Sequence, residues 1–316
     1  MSSVKPAVRI LCAGIIVLDE VFRVTEFPPP DGKVQATGFF VVNGGCAANA
    51  AVAIARLGAR VSLACPMGGP AGEDSNGDRV LAALARENID CGYCRRLPGL
   101  STALSAIFMN AHGERTIVTY RDERIAAATP SDPAAAVADA DAVLADNRYP
   151  DFVMPICEAA RQRNIHVVLD ADRPTVENDP LFRIASHVIF SSECLRVTTG
   201  ITDLAAGLQR MARQTKAFLA VSNGPNDIVY LEDGAIRQLP VFSIEAVDTL
   251  GAGDAFHGGF ALAVAEGHNV VEAMRFGAAV AGIKCTRLGG PTGSPTRAEV
   301  EAFLAERPPI AAHFPT

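Results

Sequence analysis

Short apolar runs recur along the chain, at Val8 to Gly14, Val61 to Cys65, Ala142 to Ala145, Val167 to Leu169, Val188 to Phe190 and Phe218 to Val221, each followed by a helix-like segment. Runs without polar alternation must bury both faces, which is the condition of strands inside a parallel sheet. Strands alternating with helices join through right-handed crossovers that lay helices over the sheet. The pattern predicts an α/β fold with a parallel sheet, and 316 residues suffice for one large domain of this kind or two ordinary ones. Asp146, Asp170, Asp172, Ser191, Ser222 and Asn223 fall at or just past the C-terminal ends of these runs. In open α/β sheets that edge binds ligands.

Two stretches follow the two-residue period of half-exposed strands instead: Val21 to Val42, and Thr102 to Tyr120 with a turn at His112-Gly113. Neither has room for a crossover helix, so they predict a small sheet off the main one, placed as a lid. Pro28 to Gly32 reads as a stiff turn between two of its strands. Thr296, with Glu299 three residues later, predicts a capping box for a last helix over Arg297 to Glu306.

Composition narrows the function. With 28 basic and 35 acidic residues, the net charge of −7 supplies no basic excess for a nucleic-acid backbone. Lys5 and Arg9 precede the apolar run Ile10 to Leu18, as in a secretory signal, but the run enters Asp19 and Glu20 without a small-residue cleavage site. It reads as a buried first strand. No uninterrupted apolar run reaches the roughly 18 residues of a membrane span. Eight cysteines spread over the chain are too sparse for a disulfide scaffold and read as reduced cytoplasmic thiols, the lone Cys91-x-x-Cys94 included.

The richest segment is Asp248-Thr249-Leu250-Gly251-Ala252-Gly253-Asp254, which sets three small residues before an acid and an Ala- and Phe-rich helix. Free amides of Gly251, Ala252 and Gly253 at a helix N-terminus attract anions, and the helix dipole should keep Asp254 ionised. A carboxylate that accepts a hydroxyl proton beside amides that hold phosphoryl oxygens suits phosphoryl transfer. The same residues would also serve as a glycine turn and helix cap. Gly44 and Gly45 open a second small-residue helix that carries Asn49, an amide able to bond a polyhydroxylated ligand or to satisfy a buried neighbour. Asp19, after the first strand, can accept two sugar hydroxyls or end in solvent.

Together these segments resemble the PfkB, or ribokinase-type, carbohydrate kinases, over nearly the whole chain from Asp19 to Gly289-Gly290. The family motif Asp-Thr-x-Gly-Ala-Gly-Asp is matched in full by Asp248 to Asp254, and its glycine-pair motif by Gly44, Gly45 and Asn49. The resemblance implies a single ribokinase-like α/β/α sandwich over residues 1–316, with lid strands inserted at about 20–43 and 101–121. It also implies ATP with Mg2+, Asp254 as base, Gly251 to Gly253 as anion hole, and Asp19, Gly44, Gly45 and Asn49 on the sugar. Ser222, Asn223 and Gly224 would then lie at the ATP phosphates and ribose, with Ala279, Gly282 and Cys285 near the base.

Gly14 to Asp19 and Phe276 to Cys285 are most similar to ketohexokinases and sulfofructose kinases. That likeness implies a ketose, phosphorylated on a primary hydroxyl. Arg148, past a strand end, and Lys33, after Asp31-Gly32, would hold an anionic tail of such a sugar, or else pair with acids and solvent. Three departures stand out. Ser191-Ser192-Glu193-Cys194 replaces the family's Asn-x-x-Glu, leaving Glu193 to reach magnesium only through water. The nucleotide loop lacks its later glycine, and Cys46 replaces a fructose-binding asparagine. Ribose, 2-keto-3-deoxygluconate or a nucleoside is the alternative substrate, and a silent sugar-binding protein the alternative function. A Rossmann or Walker-type site is excluded by the late glycine cluster and the lack of Gly-Lys-Ser/Thr. Exposed lid edges predict a homodimer.

Overall fold

A computed structural model of the protein describes residues 7–110 and 114–307. Its strands are β1 (Arg9–Ala13), β2 (Val17–Arg23), β3 (Gly38–Gly44), β4 (Arg60–Ala64), β5 (Pro66–Gly69), β6 (Arg95–Pro98), β7 (Ala103–Met109), β8 (Arg115–Tyr120), β9 (Ala142–Asp146), β10 (His166–Ala171), β11 (His187–Ser191), β12 (Phe218–Asn223), β13 (Asn226–Glu232) and β14 (Ala235–Leu239). The helices are α1 (Cys46–Arg56), α2 (Ser75–Arg86), α3 (Pro133–Ala136), α4 (Pro150–Gln162), α5 (Pro180–Ile184), α6 (Ser192–Thr199), α7 (Leu204–Met211), α8 (Ala252–Ala265), α9 (Val270–Cys285) and α10 (Arg297–Ala305).

Eight strands form the main sheet, in the order β14-β13-β12-β11-β10-β9-β1-β4. From β4 to β12 the neighbours run parallel, and these are the apolar runs of the sequence. The last two strands, β13 and β14, are antiparallel and were not separated by the sequence pattern, because polar, half-exposed residues interrupt their apolar ones. Along β1, Ile10 and Cys12 enter one core while Leu11 and Ala13 enter the other, all at most 1% exposed. The first core is shared with α1, α8 and α9, the second with α4 and α7. Helices therefore cover both faces, giving a three-layer α/β/α sandwich. Each fully buried Ile, Val or Leu contributes about 1.5–3 kcal/mol to holding the layers together.

A second sheet, β3-β2-β7-β8, stands apart. Alternate residues of β7 are buried, and Val21, Ile107 and Met109 close a small core around Leu250. The sheet is thereby seated against the glycine turn before α8. Residues Pro28 to Gly32 and Lys33 lie in the connection between β2 and β3, so Lys33 is an exposed loop residue and not a strand residue. His112 and Gly113 lie outside the described residues. A short parallel pair, β5 and β6, adds a feature the pattern did not predict. The capping box of α10 is present in both directions, with Thr296 N donating to Glu299 Oε2 at 2.7 Å. No described helix is long and apolar enough to cross a membrane.

Candidate active site

Two helix N-termini meet beyond the C-terminal ends of β1, β9 and β10. At the start of α1, Gly45 (φ 92°) provides no side-chain cap. The cap comes from Asp146 at the end of β9: its Oδ2 accepts from Ile15 N at 2.8 Å and Ala47 N at 3.2 Å, and its Oδ1 from Arg148 N at 2.9 Å. One turn inside α1, Asn49 donates through Nδ2 to Asp254 Oδ2 at 2.7 Å. Asp254 stands in the first turn of α8, so one hydrogen bond joins the two helix starts.

Around Asp254 lie further acids. Ligand atoms of Cys46, Asp170 and Asp254 fall within 4.8 Å of one another. Asp170 is 4% exposed, its Oδ1 has no hydrogen-bond partner among the described residues, and its Oδ2 is 3.4 Å from Nδ1 of buried His257. Burial pushes the Asp254 carboxyl up to about 7; Asp172 and Asp146 add repulsion, and the Asn49 amide and Cys46 thiol oppose it. Burial and the acids at the ends of β9 and β10 therefore oppose the ionisation that the helix dipole was expected to favour, a crowding that the sequence did not show. Burial also pushes the Cys46 thiol well up, helped by Asp254, Asp170 and Asp146.

The two glycines of the turn have different jobs. Gly251 caps α8 with φ 77°, a left-handed conformation, and a Cβ there would sit 3.4 Å from Asn49 Nδ2. Gly253 has no such φ, and a Cβ on it would meet nothing within 4 Å. The amide of Ala252 is engaged by the Thr249 carbonyl at 3.2 Å. Those of Gly253 and Asp254, as second and third residues of the helix, have no intrahelical acceptor by position. The amides left free by position are thus shifted toward the helix relative to the expected trio.

On the small sheet, Asp19 is 6% exposed, and burial pushes its carboxyl up to about 6 against the Ser105 hydroxyl bond. A Cβ on Gly44 would fall 2.1 Å from Asp19 Oδ2, so glycine there makes room for the carboxylate. Ser105 lies beside Asp19 in register and bonds Thr119 at 3.0 Å. Ser105, the middle of this polar row across β2, β7 and β8, was missed, since a lone hydroxyl in an alternating strand looks like an ordinary exposed position. Arg148 is held in an ion pair with Asp172, which occupies part of the guanidinium expected for an anionic sugar tail.

Ser222 and Asn223 end β12, with Gly224 (φ 60°) in the turn to β13. On α9, Ala279 is 0% exposed and packs in the first core, Cys285 is 8% exposed, and Gly282 is half-buried with only Ile244 near its missing Cβ. Gly282 is therefore the residue of the three with free surface. Glu193 is exposed in the first turn of α6, where Ser191 caps the helix by accepting from Cys194 N at 3.1 Å.

An acid poised near neutrality beside free helix-start amides equips a protein to deprotonate a hydroxyl next to an anionic group, and the layered fold with its small second sheet is ribokinase-like. The chain belongs to the pfkB family of carbohydrate kinases, whose profile matches residues 8–297. It is 28% identical over 302 residues to the ribokinase of Haemophilus influenzae, covering 92% of this chain and 96% of that one. To fructokinase-1 of Zea mays it is 27% identical over 294 residues, 84% of this chain and 89% of the relative. Among solved structures, an Agrobacterium tumefaciens protein whose assignment as a ribokinase is itself inferred is 36% identical with a TM-score of 0.90, over 95% of this chain and 98% of that one. The protein is an ATP-dependent carbohydrate kinase. These relatives carry the names ribokinase and fructokinase, and the ketohexokinase and sulfofructose kinase branch read from the sequence is not among them.

Proposed function

We propose that this kinase transfers the γ-phosphoryl group of ATP to a primary hydroxyl of a neutral sugar, with Asp254 as general base. The Asn49–Asp254 bond at 2.7 Å carries the reading, because it ties the base to the start of α1, beside which Gly44 makes room for the Asp19 carboxylate. In this reading Asp19 and Asn49 fix the sugar hydroxyls and the small sheet closes over them. Asp254, deprotonated near neutral pH, takes the hydroxyl proton as the oxygen attacks, and the Gly251 to Asp254 turn receives the charge on the phosphoryl oxygens. Ser222, Asn223, Gly224 and Gly282 line the nucleotide, with Cys285 behind them.

Magnesium fits this site. Asp170 offers a buried hard oxygen without a partner among the described residues; burial and the neighbouring Asp254, Asp172 and Asp146 push its carboxyl well up, a crowding that a bound cation would relieve, whereas the Cys46 thiol, also pushed up, is a poor donor for such an ion. When bound, magnesium would neutralise phosphate charge. Asp170 would hold it, with Glu193 reaching it only through water.

The Arg148–Asp172 pair supports a sugar without an anionic tail, either a pentose such as ribose or a ketose such as fructose. An ADP-release assay over ribose, fructose, sulfofructose and a sugar acid tests this. Ribose or fructose should give the highest kcat/KM, and Arg148→Ala should lower charged and neutral sugars alike. A parent enzyme that prefers a charged sugar, with that preference lost in Arg148→Ala, overturns the neutral reading. In the same assay Asp19→Ala should raise the sugar KM roughly 10- to 100-fold, the worth of hydrogen bonds to a charged group. Its KM for ATP should be unchanged. An equal loss of ATP affinity places Asp19 elsewhere.

A homodimer is also proposed. Every residue of β8 is exposed, including Ile117 (50%), Val118 (62%) and Tyr120 (60%), at an open sheet edge. Light scattering at micromolar concentration should give twice the chain mass, and the mass of one chain rejects the dimer.

A further inference from the structure

We propose that the ammonium of Lys284 is a built-in cation that fixes the turn from Thr249 to Asp254, making Lys284 a positioning residue for phosphoryl transfer. The inference rests on reading that turn as the cradle for the transferred group.

Lys284 lies in the last turn of α9 and is 0% exposed. Lysine is almost never buried to this degree without a partner. Its Nζ donates to the main-chain carbonyl of Asp248 at 2.7 Å and lies 3.6 Å from Asp248 Oδ1. Asp248 is itself 2% exposed and acts as a hub. Its Oδ1 accepts from Leu250 N at 2.8 Å, and its Oδ2 from Gly289 N at 3.1 Å and Gly290 N at 2.8 Å. The amides of Val247 and Asp248 donate back to Cys285 O at 2.7 and 3.0 Å. The root of the turn is therefore held on all sides by the end of α9 and the Gly289-Gly290 loop.

Stability alone is a poor reason for this arrangement. Burying an ammonium costs several kcal/mol, and an apolar pair of the same volume is often as stable or more so. Burial accordingly pulls the Lys284 ammonium below its ordinary range, against the pull of Asp248. What an apolar residue cannot supply is a directed bond to the carbonyl immediately before the turn. That bond fixes the peptide from which the chain climbs through Gly251 into α8. Leu250, held by the Asp248 carboxylate, is also the residue that seats the small sheet through Val21, Ile107 and Met109. The clamp thus joins the phosphoryl side of the cleft to the sugar side.

The test uses the full chain with Lys284→Met, which keeps an unbranched side chain one atom shorter and without the charge, and Lys284→Ala, which leaves a space faced by the Asp248 oxygens. Lys284→Met should remain folded by circular dichroism and lose about 10²-fold in kcat, the cost of a misplaced reacting group, with the sugar KM unchanged. In Lys284→Ala, ammonium or methylammonium chloride at constant ionic strength should restore at least about a tenth of the lost rate by refilling the cation position, an effect absent from the parent. A folded Lys284→Met with parental kcat overturns the proposal. So does a folded Lys284→Ala whose deficit ammonium leaves unchanged, which would show a merely structural lysine. If Lys284→Met does not fold, the ammonium response of Lys284→Ala decides alone. Calorimetry with a nonhydrolysable ATP analogue needs no sugar: weaker binding by Lys284→Met supports the clamp even where the sugar assignment fails, and parental binding counts against it. Failure of the cradle reading itself shows separately, as full activity in Gly253→Val.

Discussion

Replacing Asp254 with asparagine should lower turnover by roughly 10²- to 10⁴-fold, the usual contribution of a positioned general base, in a protein that stays folded and still binds ATP. Asparagine keeps the shape and an oxygen for the Asn49 amide, so the helix starts remain joined. It cannot take a proton. The parent should show kcat/KM rising with pH along a limb centred near 7 and levelling above it, because only the carboxylate form of a group with a pKa of about 7 is a base. Stability should move the other way. The ordinary carboxyl titrates near 3.8 and the folded one near 7, so between these values the unfolded chain ionises while the folded chain keeps its proton. Parent stability therefore falls, relative to Asp254→Asn, as pH rises through that window. Thermal melts from pH 4 to 8 should show the variant gaining on the parent up to about pH 7 and holding its lead above it. Parental turnover in the variant removes Asp254 from the base role, and an acidic limb centred near 4 removes the crowding.

Gly253→Val should cost about 10²- to 10³-fold in kcat, as loss of an anion-stabilising donor does, with little change in Tm. The two halves of that expectation come from one observation: a Cβ at Gly253 meets nothing in the protein, so the added side chain is tolerated until a phosphoryl group arrives. Gly251→Ala is the contrasting case. With φ at 77°, a side chain there strains the backbone by about 1–2 kcal/mol and should lower Tm as well as activity. Kinetics and melts on the two variants separate the roles. Unchanged turnover in Gly253→Val removes this turn as the cradle.

The layered fold was legible because strands buried on both faces announce themselves as unbroken apolar runs. Asp254, Asn49, Gly44 and Gly45 were legible as residue types at helix starts. Their mutual geometry was not: nothing local in the sequence says that Asn49 bonds Asp254, or that Asp146 rather than a neighbour caps α1. The upward push on the Asp254 carboxyl has the same origin, since it comes from burial and from Asp146, at the end of β9, and Asp172, just past β10. Lys284 was passed over because it sits in an Ala- and Gly-rich helix segment that reads as the border of a nucleotide. Arg148 was read as holding an anionic tail or pairing with an acid, and the fold pairs it with Asp172.

The cap on α1 and the bond from Asn49 also set an order of events during synthesis. Asp146 must emerge before the amides of Ile15 and Ala47, far earlier in the chain, have their acceptor. The acid that Asn49 holds is 205 residues further on. On the proposed roles, a nascent chain still attached to the ribosome therefore carries the sugar-side elements long before it carries a base, and the enzyme gains its chemistry only when its final third has been made and folded back.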